Sequence, residues 1–394
     1  MPEFVAMALL LISMVGLALP LAAYPTALWL VGGGQSVAPP CPSGPPPTVT
    51  LIVAFHGGDV LLMRKLANFG ELDYPPDRLN LILASDGPLT AFDQTKIADA
   101  ADPRITVFAL PESMGKAHVL NHCIGQATGD VIVFSDLDAV LAPDAIRKLV
   151  RWFGMPDVGG ICGLREFDWN LGIVGAGQAS YVSADSRIKL MENRLGAITS
   201  NDGKLYAIRR SLFEPVDPTA TDDLYCSLSV IAKGHRFLFD PDARVKIVPP
   251  SWSLQHDLER RRRIVVCSLS GIFARPRLLL ATEFGLFGAR LIVNKVLRRL
   301  APVFFLGVLL GSALLAQSHL WAAGLLAIQV VLYLAAATLA TLTHRLDAKY
   351  LHPLLAQASQ GTFYFCMSMT GMLLGLFDYA SGKRISRWQP KKTG

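Results

Sequence analysis

The stretch Gly129-Asp130-Val131-Ile132-Val133-Phe134-Ser135-Asp136-Leu137-Asp138 decides the fold. Its middle is apolar and β-branched, which predicts a strand buried on both faces of a parallel sheet, and open α/β sheets hold ligands just beyond the carboxyl ends of such strands. Asp136 and Asp138 stand at that end. Two carboxylates one residue apart at the lip of a sheet suit a hard divalent cation, Mg²⁺ or Mn²⁺, whose remaining positions are filled by water and a substrate diphosphate. A second reading also fits. Pro143-Asp144 follows closely, and Asp-Leu-Asp can serve only to cap the next helix.

Upstream, Val49–Phe55 and Leu79–Ser85 read as buried strands and 105–108 as a third, with helical stretches between them. The second strand ends at Asp86-Gly87, an acid where a sheet binds its ligand, although Asp-Gly after a strand also makes a plain turn. This alternation predicts a doubly wound α/β nucleotide-binding half. Neither a G-x-x-x-x-G-K-[ST] loop nor a G-x-G-x-x-G fingerprint occurs, so a diphosphate would be held through metal and basic side chains.

Downstream, 158–164 reads as a strand, 177–194 as a helix and 204–210 as strand-like, and Thr221-Asp222-Asp223 opens another helix. One acid there can cap the helix, but two adjacent acids cannot both do so, which leaves one for chemistry. Arg260, Arg261, Arg262 and Arg263 are consecutive and would point in several directions from a helix. One or two can meet a diphosphate; the others suit anionic lipid headgroups.

With 394 residues, 52% of them hydrophobic, and a mean hydropathy of +0.38, the chain has room for a large soluble domain and for membrane segments. Its net charge of +6 comes from basic residues that flank apolar spans, which makes a membrane surface the expected partner and not nucleic acid. The six cysteines form no C-x-x-C pair and no cluster with histidine, so reduced thiols and a cytoplasmic main domain are expected.

Residues 1–31 are expected to be an uncleaved transmembrane anchor, because Phe4 to Val31 carry no charge and the basic start of a signal peptide is missing. Residues 32–47 form a Gly/Pro-rich linker, 48–282 the catalytic domain, 283–299 an amphipathic interfacial helix and 300–343 two transmembrane helices. Residues 353–380 make a third apolar segment, interfacial or re-entrant, before a basic tail at 381–394. The tail and the domain are expected on the cytoplasmic side of the inner membrane, which three spans satisfy.

Taken in order, Ser85-Asp86-Gly87, Gly115-Lys116-Ala117 with Leu120-Asn121, Phe134-Ser135-Asp136-Leu137-Asp138, Ala207-Ile208-Arg209-Arg210 and Thr221-Asp222-Asp223 resemble the membrane-bound family 2 glycosyltransferases. That group includes the cellulose, hyaluronan and chitin-oligosaccharide synthases and ceramide glucosyltransferase. The resemblance implies a GT-A nucleotide-sugar-binding fold and a UDP-sugar donor. It makes Asp86 the contact to the nucleoside, adds Lys116 to the donor site, and gives Asp136 and Asp138 to the metal and diphosphate. Asp223, with Asp222 beside it, matches the end of the Thr-Glu-Asp motif that holds the general base; Arg260 and Arg263 match positions one and four of Gln-x-x-Arg-Trp.

The chain departs from the family where Phe55-His56-Gly57-Gly58-Asp59 replaces the usual Asn-Glu, and where Arg260 and Ile264 replace Gln and Trp. Because that tryptophan helps form the acceptor site of processive synthases, its absence favours a single transfer. One base and no covalent nucleophile imply inversion at the anomeric carbon. The acceptor implied is a lipid-linked sugar or another saccharide of cell-envelope glycolipid or exopolysaccharide synthesis. A processive synthase, or an inactive membrane scaffold that keeps the fold, are the rival readings.

Overall fold

A computed structural model describes residues 2–31, 37–41, 44–57, 59–167, 172–247, 254–345 and 353–383. The glycines at 32–34, Gly58 and the tail from Arg384 onward lie outside these. Eight strands form one sheet: β1 (Val49–Phe55), β2 (Leu79–Ser85), β3 (Ile105–Ala109), β4 (Val131–Asp136), β5 (Ala139–Leu141), β6 (Val158–Phe167), β7 (Leu205–Arg209) and β8 (Arg236–Ile247), in the spatial order β3-β2-β1-β4-β7-β6-β8-β5. The first four run parallel, as the alternation of strands and helices requires. β7 then runs antiparallel to both β4 and β6, so the sheet as a whole is mixed.

The apolar runs are continuous because both faces of the sheet are covered. Ile52, Ala54, Ile132 and Phe134 enter one core with Val119 and Leu228, while Leu51, Val53, Val131 and Val133 enter the other with Leu62 and Leu149. This is the period-two alternation of a strand, with hydrophobic packing on either side. β5 and β8 escape a reading of the sequence. β5 has three residues, and β8 is interrupted by Asp240, Pro241 and Asp242. Asp240 is nearly fully buried; its Oδ2 accepts hydrogen bonds from Trp152 Nε1 (2.7 Å) and Arg151 Nη2 (2.8 Å), which offsets the cost of burying it.

Among the described residues three helices are long and apolar enough to cross a membrane: Glu3–Val31, Leu286–Leu315 and Leu320–Leu339. The second corrects the division at 299/300. The expected interfacial helix and the span after it are one continuous rod, joined through a π-helical stretch at Ile292–Leu297. Its polar residues face protein: Arg290 donates to the carbonyls of Ala197 and Leu195, Asn294 to Thr199 Oγ1 and Lys295 to Ser200 Oγ. Charge that reads as amphipathic in sequence is therefore spent inside the molecule.

Gly307 and Gly311 on this rod let the N-terminal helix touch it, since a Cβ at Gly311 would lie 2.9 Å from the Leu10 Cβ. For the last apolar segment the structure bears only on the re-entrant alternative. Pro353–Ala380 is one unbroken helix with no re-entrant turn, and it packs along Leu254–Phe273, the helix that carries the four arginines.

Replacing Asp240 by Ala leaves the indole N–H of Trp152 without its acceptor and Arg151 with Asp242 as its remaining carboxylate, and is expected to cost about 2 kcal/mol. Asp240→Asn keeps an acceptor for Trp152 and should cost less. Thermal unfolding in detergent should rank the variants wild type, Asn, Ala; equal melting of the two variants would contradict this.

Candidate active site

The strand register fixes the floor of the site. Ala54 of β1 pairs with Asp136, the last residue of β4, and Phe55 with Ser85 of β2, so Asp86 and Asp136 emerge at the same edge. Asp138 lies in the two-residue turn between β4 and β5. The helix that follows starts only at Ala145, with Asp144 before it, so Asp136 and Asp138 are not its caps.

Asp136 sits between two ammonium groups. Its Oδ1 is 2.8 Å from Lys116 Nζ and its Oδ2 2.9 Å from Lys204 Nζ. Burial alone would raise its pKa, but the two lysines overcome that and hold it well below the usual carboxylate range. Lys204 Nζ also meets both oxygens of Asp138, at 2.7 and 2.8 Å. Lys116 Nζ reaches Asp222 Oδ2 at 2.9 Å, joining the end of β4 to the helix Asp222–Ala232. Both ammoniums are raised by these acids against the lowering effect of burial.

Asp222 and Asp223 are the first two helical residues, and Thr221 occupies the cap position. Asp222 therefore faces Lys116 and caps nothing. Asp223 accepts the Leu224 N–H (2.7 Å), and its own carbonyl accepts Asn201 Nδ2 (2.8 Å). Burial first, and the neighbouring Asp222 second, push its pKa up to about 6. Gly203 lies against it: a Cβ there would be 3.4 Å from Asp223 Oδ2, so a larger side chain would crowd this carboxylate.

Asp86 is fully buried. Its Oδ1 accepts the N–H groups of Met114 (2.8 Å) and Gly115 (2.9 Å), and its Oδ2 accepts the Ser113 hydroxyl (2.9 Å). Both oxygens are thus engaged by the loop before Lys116, whose Gly115 has a φ of +102° that favours glycine. In this arrangement Asp86 holds the loop that leads into Lys116.

The arginine run divides as helical geometry requires. Arg260 pairs with Asp257 at 3.2 Å, Arg261 stacks on the Tyr364 ring at 4.5 Å, and Arg262 pairs with Asp378 at 2.8 Å. Arg263 and Asp223 both act electrostatically on the buried Cys267 thiol, which burial pushes up to about 11. Arg260 Nε is buried without a hydrogen-bond partner among the described residues. The structure therefore links Asp136, Asp138 and Asp222 through Lys116 and Lys204 and brings Asp223 beside Asp222. Arg260 and Arg263 lie on the helix Leu254–Phe273; Arg263 shares Cys267 as a neighbour with Asp223, and among the described residues no ion pair joins either arginine to these lysines or acids.

Two lysines are absent from the sequence reading. Lys204 looks like the first residue of a strand, and Lys65 like one polar residue of an amphipathic helix. Lys65 is buried beneath the aspartates, donating to Ser135 Oγ (2.9 Å) and the Ala139 carbonyl (2.6 Å). Burial pulls it down to about 7 although Asp136 and Asp138 oppose that. Neither has a sequence signal, because a buried lysine is specified by its partners and not by a pattern.

Among the described residues no group of three His, Cys, Asp or Glu side chains could hold a metal. The donor pair nevertheless fits a hard cation. Three oxygens of Asp136 and Asp138 converge on one cationic atom, Lys204 Nζ, so the pair already encloses a position for positive charge.

A half-parallel sheet with a carboxylate pair at the end of its fourth strand defines a GT-A fold. Over 98% of its length the chain superposes on the whole of the mannosyltransferase PcManGT from Pyrobaculum calidifontis, solved in complex with GDP-Man and Mn²⁺, with a TM-score of 0.71 and 21% identity, which shows a shared fold. A family model described as glycosyltransferase like family 2 matches residues 45–266, more than half of the chain, and the chain belongs to that family. It is 27% identical over 240 residues to an N-acetylglucosaminyltransferase of Rhizobium meliloti, covering 56% of this chain and 55% of that protein. To the beta-monoglucosyldiacylglycerol synthase of Synechocystis it is 27% identical over 215 residues, 50% of this chain and 44% of the relative. The chain spans about half the length of the curated relatives it matches.

Asp86→Ala should release the loop while leaving the sheet intact. Amide hydrogen exchange at Met114 and Gly115 should then rise by at least about tenfold, the effect of losing one charged hydrogen-bond acceptor. Unchanged protection would mean that the loop is held by something else.

Proposed function

We propose that this family 2 glycosyltransferase is a metal-dependent inverting enzyme that moves one sugar from a UDP-sugar to a lipid-linked or saccharide acceptor, with its catalytic domain on the cytoplasmic face of the inner membrane. The observation that carries the reading is the contrast between Asp136, which Lys116 contacts, and Asp223, which stands next to Asp222, the other partner of Lys116. Asp136 is kept ionised by two ammoniums, whereas Asp223 has its pKa raised towards neutrality. Environments that push two carboxylates apart in this way suit one for holding charge and the other for taking a proton.

Asp136 and Asp138 would hold Mg²⁺ or Mn²⁺, which when bound supplies positive charge to the leaving diphosphate. Lys116, Arg260 and Arg263 face the same leaving group, set in place before the reaction so that no reorganisation is needed as charge develops. Asp223 accepts the acceptor hydroxyl proton. The acceptor oxygen bonds to the anomeric carbon as the bond from that carbon to the phosphate oxygen breaks, and the nucleoside diphosphate departs with the electron pair. Attack from the face opposite the leaving group inverts the centre. Asp86 acts through the loop it holds. N-acetylglucosamine, named in several relatives, is the first sugar to test, and UDP the first nucleotide. Turnover across a panel of nucleotide sugars with membrane lipids present tests the reading. Donor binding without transfer or hydrolysis of any of them would favour the inactive scaffold.

Asp223→Asn is expected to lower kcat by roughly 10²- to 10⁴-fold with little change in donor affinity, because the lost proton acceptor serves the acceptor side. Loss of donor affinity as well would move Asp223 to the nucleotide site.

The pH profile carries a sign. A base must be deprotonated, so kcat/KM should rise with pH through about 6 and fall away in acid. Asp222→Asn removes a negative neighbour that raises Asp223 and should move this limb to lower pH. A limb that stays in place or moves up would show that Asp223 is not the titrating base.

A further inference from the structure

Lys204 covers three of the four carboxylate oxygens of Asp136 and Asp138, and Lys116 covers the fourth. Each oxygen of the pair is met by an ammonium. A divalent cation bound there would lie next to the Lys204 ammonium, and two like charges in direct contact on the same carboxylates repel strongly. The Lys204 backbone cannot yield, because its carbonyl accepts the Ser135 hydroxyl (3.0 Å), its N–H donates to Asp202 Oδ1 (3.2 Å), and the next residue, Leu205, pairs with Ser135 in the sheet. The side chain can. Four rotatable bonds let the ammonium leave the aspartates while its backbone stays fixed.

We propose that Lys204 is a two-position cation: it closes the aspartate pair when no donor is bound, and it swings onto the donor diphosphate when the divalent cation takes its place. The anion nearest to a displaced ammonium would be the diphosphate itself, which arrives beside the cation on the same carboxylates. The inference rests on the reading of Asp136 and Asp138 as the metal and diphosphate site. It adds a donor contact in a segment that no motif marks, and it makes the lysine a competitor of the cation as well as a ligand of the nucleotide.

The test uses the full chain in detergent with Lys204→Met, Lys204→Arg and Asp138→Asn variants. Binding of Mn²⁺ alone is followed by electron paramagnetic resonance, and binding of UDP at saturating Mn²⁺ by calorimetry. Lys204→Met should bind Mn²⁺ about tenfold more tightly or better, and then bind UDP about tenfold more weakly, each change reflecting one charged hydrogen-bonding partner removed. Lys204→Arg keeps the charge and should hold Mn²⁺ affinity near that of the parent, which separates competition from misfolding. Unchanged or weaker Mn²⁺ binding by Lys204→Met overturns the proposal, and so does unchanged UDP affinity. If Asp138→Asn also binds Mn²⁺ like the parent, the metal site itself is wrong; if Asp138→Asn loses Mn²⁺ while Lys204→Met changes nothing, only the role of Lys204 falls.

Discussion

The carboxylate of Asp136 sits between two ammonium groups, and the arrangement of the active site depends on keeping that charge paired. A carboxylate with only about a quarter of its side chain exposed would be costly to leave without partners. Lys116 comes from the helix after β3 and Lys204 from the segment entering β7, so the pairing draws both to the end of β4. Each lysine is aimed by a separate device. Asp86 grips the loop before Lys116, while Ser135 and Asp202 hold the backbone of Lys204. The contact from Lys116 to Asp222 extends the cluster to a fourth segment, and so fixes how far the helix Asp222–Ala232 stands from the end of β4.

The segment from Leu195 to Lys204 carries this constraint to the apolar helices. At its start, Arg290 holds the carbonyls of Leu195 and Ala197, Asn294 holds Thr199, and Lys295 holds Ser200. Buried Glu192 accepts the Thr199 N–H and hydroxyl and also the hydroxyl of Tyr24, from the N-terminal helix. At its end, Asn201 donates to the Asp223 carbonyl, Asp202 pairs with Arg165, and Lys204 reaches the two aspartates. Ten residues thus join the apolar helices to both halves of the site. Polar groups that would be costly against lipid are satisfied by this segment, and the segment is ordered by them in return.

What the sequence makes legible follows from short-range physics. β1, β2 and β4 are predominantly apolar runs, the last two ending at acids, and their positions can be read because burial on both faces favours apolar residues throughout. Asp136 and Asp138 are legible as a pair because their spacing is local. Lys204 and Lys65 are not: their roles come from the β4–β7 pairing and from a helix laid over β5, contacts between residues far apart in the chain. Asp86 shows the opposite limit. Its position at a strand end is legible, but engagement of both oxygens by the loop at Ser113 to Gly115 depends on where that loop returns. The polar residues of 283–299 pose the same problem, since Arg290 and Asn294 look solvent-facing until the 195–200 segment is laid against them.

The four arginines show how tertiary contacts assign roles that sequence leaves open. Residues three apart share a helix face, so Arg260 and Arg263 lie together while Arg261 and Arg262 turn elsewhere. What occupies the other face is the helix Pro353–Ala380. Gly371 and Gly375 let it approach until a Cβ at Gly375 would stand 2.8 Å from the Val265 Cβ, close enough for Tyr364 to take Arg261 and Asp378 to take Arg262. Two charges are thereby consumed in joining helices. Because a helix is rigid about its axis, fixing Arg261 and Arg262 also fixes the direction of Arg260 and Arg263. The last apolar helix therefore sets the aim of two basic side chains that it does not itself neutralise, which is a structural reason for a family 2 domain to carry such a helix beyond its sheet.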